Sequence, residues 1–527
     1  MKAKAIGNSV AIAPSSIIQE SRSERCSFLE NNIWRPCSAG RLRRRRVDQE
    51  SIIESPVVVT LLKQRTLGPM TMYHNECFIV WLLIAFAVLI EGHPTSALTP
   101  QRAAFAIASA NVTRCSIGLA LDTPGLTHAP EPPTGRIRIM AARYRDLENA
   151  LVGYNRSHVP LVSDASGVLA PAGTVDDFGA YYLIPQIATR FGLSLRRSID
   201  VFYLSILLTA LALGIFGCSF ALRTTVCKLW SAAELVLVTA LAYSYGDVYI
   251  LLAATAIAIV PLTIYAIATR SVAFVATVVF ASGAAISTAN AIRSYSGIGV
   301  LLFVLCLMLT RFIGARRHKV FLVLCLLCGL TLPQLWFTSA LSKRDRFLRA
   351  VCPDYPALSS THVFWHAAYA GFGFLRNDVV TGYDDRVTYD KVQSIAPGTV
   401  YGSAEYERIL RREVYLILRR YPRLVLYTVA AKLGVILALF LLFSNVGLIG
   451  ARIAPKPLGL EIAFWLGIAF NGLFGILIVP LVAYLLGLIA FATLYGVVSL
   501  DFAFEKKFRE GACQSRLGLR ASANTLT

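Results

Sequence analysis

Residues Val201 to Leu222 read VFYLSILLTALALGIFGCSFAL, with no Asp, Glu, Lys or Arg among them. A hydrocarbon core about 30 Å thick takes about 20 helical residues to cross, because every peptide group must find its hydrogen bond within its own segment. This stretch meets both demands. Comparable runs follow at Leu229 to Tyr243, Val248 to Ala268, Val272 to Ala289, Gly297 to Leu309, Val320 to Leu341 and Leu424 to Ile449. Leu458 to Leu500 is long enough for two helices, broken around Asn471 and Gly472 or at Pro480, and Cys77 to Ile90 is a shorter run ahead of them all. The expected architecture is an all-α, polytopic integral membrane helical bundle of about ten spans.

Composition agrees. Of 527 residues 56% are apolar and 16% charged, and the mean hydropathy of +0.59 is one that water-soluble domains rarely reach. A soluble enzyme is excluded on these grounds. The 51 Lys and Arg against 31 Asp and Glu give a formal net charge of +20, a surplus that has to be located before it is read. Nucleic acid is not the expected partner, because the basic residues cluster at span ends. Arg223, Lys228, Arg270, Arg311, Arg316, Arg317, Lys319, Arg452, Lys456, Lys506, Lys507 and Arg509 all fall in alternate short loops or the C-terminal tail, whereas the intervening short loops carry only Arg293. Basic loops resist translocation. The N-terminus is therefore expected in the cytoplasm, with two long loops, about Gly92 to Asp200 and Ser342 to Arg423, on the outer face.

Five regions result. Residues 1–75 read as a disordered, basic cytoplasmic tail including Arg41 and Arg43 to Arg46; a start at Met70 or Met72 would remove most of it. Residues 76–200 hold the first span and first outer loop, with some signal-peptide character at His93 to Ala97. Residues 201–341 form the transmembrane bundle, 342–423 the second outer loop, and 424–527 the C-terminal spans and tail. Of eleven cysteines only Cys115 and Cys352 fall in the outer loops, where an oxidising compartment would permit a disulfide between them. Cys325 and Cys328 lie inside an apolar helix and read as packing.

The first outer loop ends in Thr174-Val175-Asp176-Asp177-Phe178-Gly179-Ala180-Tyr181-Tyr182, ahead of an aromatic helical segment. Thr174 and Asp177 stand at capping-box spacing, so the acids can simply cap that helix. Alternatively Asp176 and Asp177 supply a general base for a hydroxyl, or ligands for a divalent cation. The second outer loop presents His362, Trp365, His366 and Tyr369, then Tyr383, Asp384 and Asp385. His362 and His366 share one helical face, but no HExxH is present, and the aromatic density suits sugar recognition as well as packing. Ser403 to Tyr421 reads as an amphipathic interfacial helix, apolar side down, with Tyr406, Ile409, Leu410, Val414, Ile417, Leu418 and Tyr421 at helical spacing. Its arginines, Arg412 among them, face either lipid head groups or the phosphate of a lipid-linked substrate. Asn290 and Arg293 form a further candidate at the mouth of the bundle. Walker, dinucleotide and GxSxG motifs are absent from the sequence, as is an obvious internal repeat of the kind many transporters carry.

The layout resembles the C-type superfamily of polytopic glycosyltransferases, in an uncharacterised bacterial branch. The resemblance is carried by Asp176-Asp177-Phe178-Gly179-Ala180-Tyr181-Tyr182 and by His362-Val363-Phe364-Trp365-His366-Ala367-Ala368-Tyr369. It implies transfer of a sugar from a polyprenyl-phosphate donor to a glycan, lipid or protein acceptor at the outer face of the bacterial inner membrane. Asp176 or Asp177 would be the base, its neighbour orienting it or helping hold a cation such as Mg or Mn. Asn290, Arg293, His362, Trp365, His366, Tyr369 and Arg412 would bind substrate, with Arg293 and Arg412 balancing the leaving phosphate. Asp-Asp replaces the Asp-Glu common in several branches, which leaves the base unassigned between them. The alternative is a non-catalytic envelope protein that translocates lipid or polysaccharide.

Overall fold

The computed structural model describes residues 141–163, 169–171, 178–269, 271–311, 316–351, 364–399, 401 and 403–524. The tail, the run Cys77 to Ile90, Asp176, Asp177, His362, Cys115 and Cys352 lie outside the described residues. Helices dominate. They are α1 (Ala141–Ser157), α2 (Phe178–Phe191), α3 (Leu195–Ala221), α4 (Thr225–Tyr245), α5 (Ile250–Thr269), α6 (Val272–Ile292), α7 (Ile298–Arg311) and α8 (Arg316–Val351). There follow α9 (Phe364–Gly371), α10 (Asp385–Ile395), α11 (Ala404–Arg420), α12 (Pro422–Ser444), α13 (Gly447–Ile453), α14 (Leu458–Leu477) and α15 (Leu486–Asn524). The described strands β1 (Leu161–Ser163) and β2 (Leu169–Pro171) form a single antiparallel ladder.

Among the described residues eight helices, α3, α4, α5, α6, α8, α12, α14 and α15, are long and apolar enough to cross a membrane, and α7 is a shorter apolar helix. The chain is an all-α integral membrane protein. Helices α5 and α15 are the central pair, with 72% and 83% of their apolar windows buried by neighbours, whereas α12 has only 22% covered. The outer helices present Leu335, Leu426 and Leu442 outward, a surface that would be a liability in water and is ordinary against lipid. With no hydrophobic force between helices in lipid, close packing has to hold them together. At the crossing of α6 and α8, a Cβ on Gly329 would lie 2.2 Å from the Phe280 carbonyl oxygen, so the two backbones approach as near as glycine permits.

Several boundaries differ from the sequence reading. The Leu458 to Leu500 stretch is interrupted between Leu477 and Leu486, around Pro480, while Asn471 and Gly472 lie inside α14. Asn471 satisfies its amide locally by donating to the Gly467 carbonyl at 2.8 Å. Helix α3 starts at Leu195 rather than Val201, because Ser194 caps it by accepting from the Arg197 N–H. Helix α12 stops at Ser444, and the short α13 completes the apolar run to Ile449 and beyond.

Contacts between turns divide the bundle into two ends. At one end Asp501, on α15, accepts from the N–H groups of Arg223 and Thr224 and from the Thr224 hydroxyl, at 2.8 to 3.1 Å. The start of α4 is thereby capped from another helix. Lys456 at the same end bridges Glu461 and Ser499. At the opposite end the Arg293 guanidinium sits 4.7 Å above the Tyr249 ring, which meets Tyr484 edge-on. Helix α8, at 36 residues, is about 54 Å long, so its last turns project beyond a bilayer core at this second end.

Candidate functional site

Second-loop residues build a small subdomain at that second end. The N–H groups at the start of α9 are met from α11: Glu407 accepts from Trp365 N at 2.8 Å and from His366 N at 3.3 Å. Glu407 is only 9% exposed. A carboxylate is sustained at that depth because a helix N-terminus offers both unpaired donors and the positive end of a dipole. Helix α11 is itself capped by Ser403, whose hydroxyl oxygen accepts from Tyr406 N at 3.2 Å. This start sets Tyr406 and Glu407 toward α9.

His366 occupies the centre, 4% exposed. Its Nε2 lies 3.0 Å from Asp385 Oδ1 and its Nδ1 2.8 Å from the Tyr406 hydroxyl. The carboxylate can only accept, so Nε2 carries the proton and donates, and the Tyr406 hydroxyl donates to Nδ1. Burial, reinforced by the charges of neighbouring Tyr401, Glu407 and Asp385, pushes the Tyr406 phenol above its ordinary range, which keeps it a donor. Tyr401 packs edge-on against the imidazole at 5.3 Å. The relay reaches solvent through Asp385, whose side chain is 83% exposed. Asp384 positions it by capping α10, accepting from Arg386 N at 2.9 Å.

Tyr369, one turn further along α9, is buried among Val380, Val392, Leu410 and Val414. Burial, with the nearby Glu413 carboxylate, pushes its phenol up to about 12. Trp365 is half-buried, its ring 5.6 Å from that of Tyr415. The structure thus brings Trp365, His366 and Tyr369 together on α9, with His366 engaged at both nitrogens. Arg412 is elsewhere, exposed on α11.

The apolar stripe of α11 was expected to face lipid, and here the structure corrects the sequence reading. Tyr406, Leu410, Val414 and Ile417 are buried in the subdomain's own core, with Tyr369, Val380 and Val392. The spacing specified an apolar face but not what covers it.

The subdomain docks on the bundle at Gly371. A Cβ there would fall 2.4 Å from the Leu477 carbonyl oxygen, 2.6 Å from that of Ile478 and 2.9 Å from Lys432 Nζ. Lys432, 2% exposed on α12, donates to the carbonyls of Ile476 at 2.9 Å and Ile478 at 2.6 Å. It thereby satisfies the acceptors that the end of α14 leaves free.

A second group surrounds the start of α2. Phe178, which follows Asp177 in the chain, packs against Phe337 at 6.1 Å and stacks on Tyr182 at 5.9 Å. The Arg344 guanidinium lies 5.9 Å from the Phe178 ring. Arg344 is 6% exposed and bridges to Asp345 through Nε and Nη2, at 2.9 and 2.8 Å. Tyr182 also meets Trp336 at 5.5 Å, and burial pushes its phenol up to about 12.

Asn290 and Arg293 belong to a third place, the turn from α6 to α7. Asn290 Oδ1 accepts from Gly297 N at 2.8 Å and closes that turn. Arg293 ends α6 and covers Tyr249. Among the described residues no group of three or more His, Cys, Asp or Glu is arranged to hold a metal ion; the candidate ligands Asp176 and Asp177 fall outside them. Asp385 and Tyr406, the partners of His366, escaped the sequence reading as a site, since Asp385 read only as one of several polar residues of the second loop and Tyr406 as one member of an apolar stripe.

No protein family, curated protein or solved structure matches the chain.

Proposed function

We propose that the chain is a membrane glycosyltransferase that moves a sugar from a polyprenyl-phosphate-linked donor to a glycan, lipid or protein acceptor at the outer face of a bacterial inner membrane. The observation that carries this reading is the packing of Phe178 against Arg344. The residue after the diacidic pair is fixed beside a buried guanidinium, at the end of the bundle that also bears the His366 and Asp385 subdomain. A transferase needs a base for the acceptor hydroxyl and fixed positive charge for the leaving phosphate, both preorganised out of bulk water.

In this reading Asp176 or Asp177 takes the proton of the acceptor hydroxyl as its oxygen attacks the anomeric carbon. The bond from that carbon to the phosphate oxygen breaks, the configuration inverts, and the lipid phosphate departs with the bonding electrons. Arg293 and Arg412 are candidates to receive its charge; Asp385, Trp365 and Tyr369 lie on the subdomain that would meet the sugar or acceptor. About ten spans, two outer loops and a cytoplasmic N-terminus complete the arrangement, with orientation following from the basic end of the bundle. A divalent cation at Asp176 and Asp177 would assist the phosphate. Translocation of lipid or polysaccharide without chemistry is the second reading. Its best support is the buried Lys432 ammonium, which the carbonyls of Ile476 and Ile478 already account for.

The test is transfer of radiolabelled sugar from polyprenyl-phosphate donors in membranes holding matched amounts of wild type, Asp176→Asn or Asp177→Asn. Loss of transfer in either variant supports the reading and names the base. Full activity in both would overturn the acidic-pair mechanism, and absence of transfer from every donor with the wild type would favour translocation.

A further inference from the structure

We propose that α11 meets the lipid head-group layer with its arginine face, and that the joint between α11 and α12 holds the phosphates of anionic phospholipids. This inference stands apart from the transferase reading. Because the apolar stripe of α11 is consumed by the subdomain core, the face left outward is a different one. Arg408, Arg411, Arg412, Tyr415, Leu418 and Arg419 recur at helical spacing and are all exposed.

The charge on this face is mostly unanswered. Arg408 pairs with Glu405, and Glu413 with Lys391. Among the described residues, Arg411, Arg412, Arg419, Arg420 and Arg423 form no ion pair or hydrogen bond. Five guanidinium groups within thirteen residues repel one another unless an anion is present. Their position says which anion. Arg419, Arg420 and Arg423 flank Pro422, the first residue of a helix apolar enough to cross a membrane, so they lie where the phosphates of a leaflet lie. Exposed Tyr415, Tyr421 and Tyr427 accompany them, as aromatic side chains do at head-group level. Guanidinium groups bind phosphate in a bidentate fork, and the adjoining exposed Leu418 and Leu426 offer apolar surface to the acyl chains.

Native mass spectrometry of the full chain, released from nonionic detergent with graded phosphatidylglycerol, phosphatidylcholine or free glycerol phosphate, tests this. Wild type should retain phosphatidylglycerol adducts over phosphatidylcholine. The triple variant Arg411→Gln/Arg419→Gln/Arg420→Gln should lose their occupancy by at least about tenfold. A control triple at the other end of the bundle, Arg316→Gln/Arg317→Gln/Lys319→Gln, should leave these adducts in place. All the substituted side chains of α11 are exposed, so an unchanged thermal unfolding profile accompanies the expected result. Equal adducts in wild type and the α11 triple would overturn the proposal, as would equal retention of the two lipids. Displacement of phosphatidylglycerol by an equal concentration of glycerol phosphate would make this a site for soluble anions, and the lipid assignment would fall.

Discussion

Glu407 accepts the main-chain N–H of His366 from a position 41 residues away in the chain, so the helix that carries the imidazole is started by a carboxylate from another helix. Glu407→Ala would strand the N–H groups of Trp365 and His366 and remove the charge that complements the helix dipole. The expected cost is about 1–3 kcal/mol. Hydrogen exchange should rise across Phe364–Gly371 while α5 and α15 keep their protection. Unchanged exchange in α9 would show that its start does not depend on Glu407.

The two partners of His366 should differ in weight. Tyr406→Phe leaves Nδ1 without a donor in a buried site, at a cost of about 1–2 kcal/mol. Asp385→Asn keeps an oxygen to accept from Nε2 and alters an exposed side chain, so about 0.5 kcal/mol or less is expected. Thermal unfolding in detergent ranks the two variants, and an equal or reversed order would show that the buried Tyr406 partner does not outweigh the exposed Asp385 one.

Lys432→Met keeps the length and apolar character of the side chain but leaves the carbonyls of Ile476 and Ile478 short of their donor. A loss of about 2–4 kcal/mol is expected. Gly371→Ala acts on the same junction by steric means, since backbone oxygens of Leu477 and Ile478 stand in the way of its Cβ. Both variants should expose the subdomain to limited proteolysis near Phe372 before the bundle unfolds. Resistance equal to wild type in both would argue that this junction does not hold the subdomain.

Alkaline pH should loosen the end of the bundle that carries the subdomain first. The Tyr182 and Tyr369 phenols are raised to about 12, chiefly by burial, from an ordinary value of 10.0. The folded state therefore holds these protons more tightly than the unfolded chain. Their contribution is complete below pH 10 and is lost as pH climbs from about 10 through 12. Unfolding followed across this window should show the decline in wild type and a flatter one in Tyr182→Phe/Tyr369→Phe. The same slope in both proteins would assign the decline to other groups.

The membrane-helical class was legible because it rests on local facts: run length, the absence of charge inside a run, and the positions of arginine and lysine at its ends. Pro480 was legible only as one of two candidate breaks in the last apolar stretch, beside Asn471 and Gly472, because a proline by itself does not end a helix here: Pro261 and Pro333 lie inside continuous helices. The subdomain was half legible. Helical spacing in Ala404–Arg420 marked Tyr406, Leu410, Val414 and Ile417 as one face, but an amphipathic face looks alike whether lipid or another helix will cover it. Nothing local joins Asp385 to His366 or Glu407 to Trp365.

Sequence alone thus determined that this chain crosses a membrane many times, because peptide groups in hydrocarbon must be satisfied within their own segment and every candidate segment can be measured in isolation. Tertiary structure alone decided that Glu407 starts α9, that Lys432 closes the end of α14, that Arg344 covers Phe178, and that α11 turns its arginines outward. Each of these depends on which helix ends lie side by side, and that is set by close packing between segments distant in the chain.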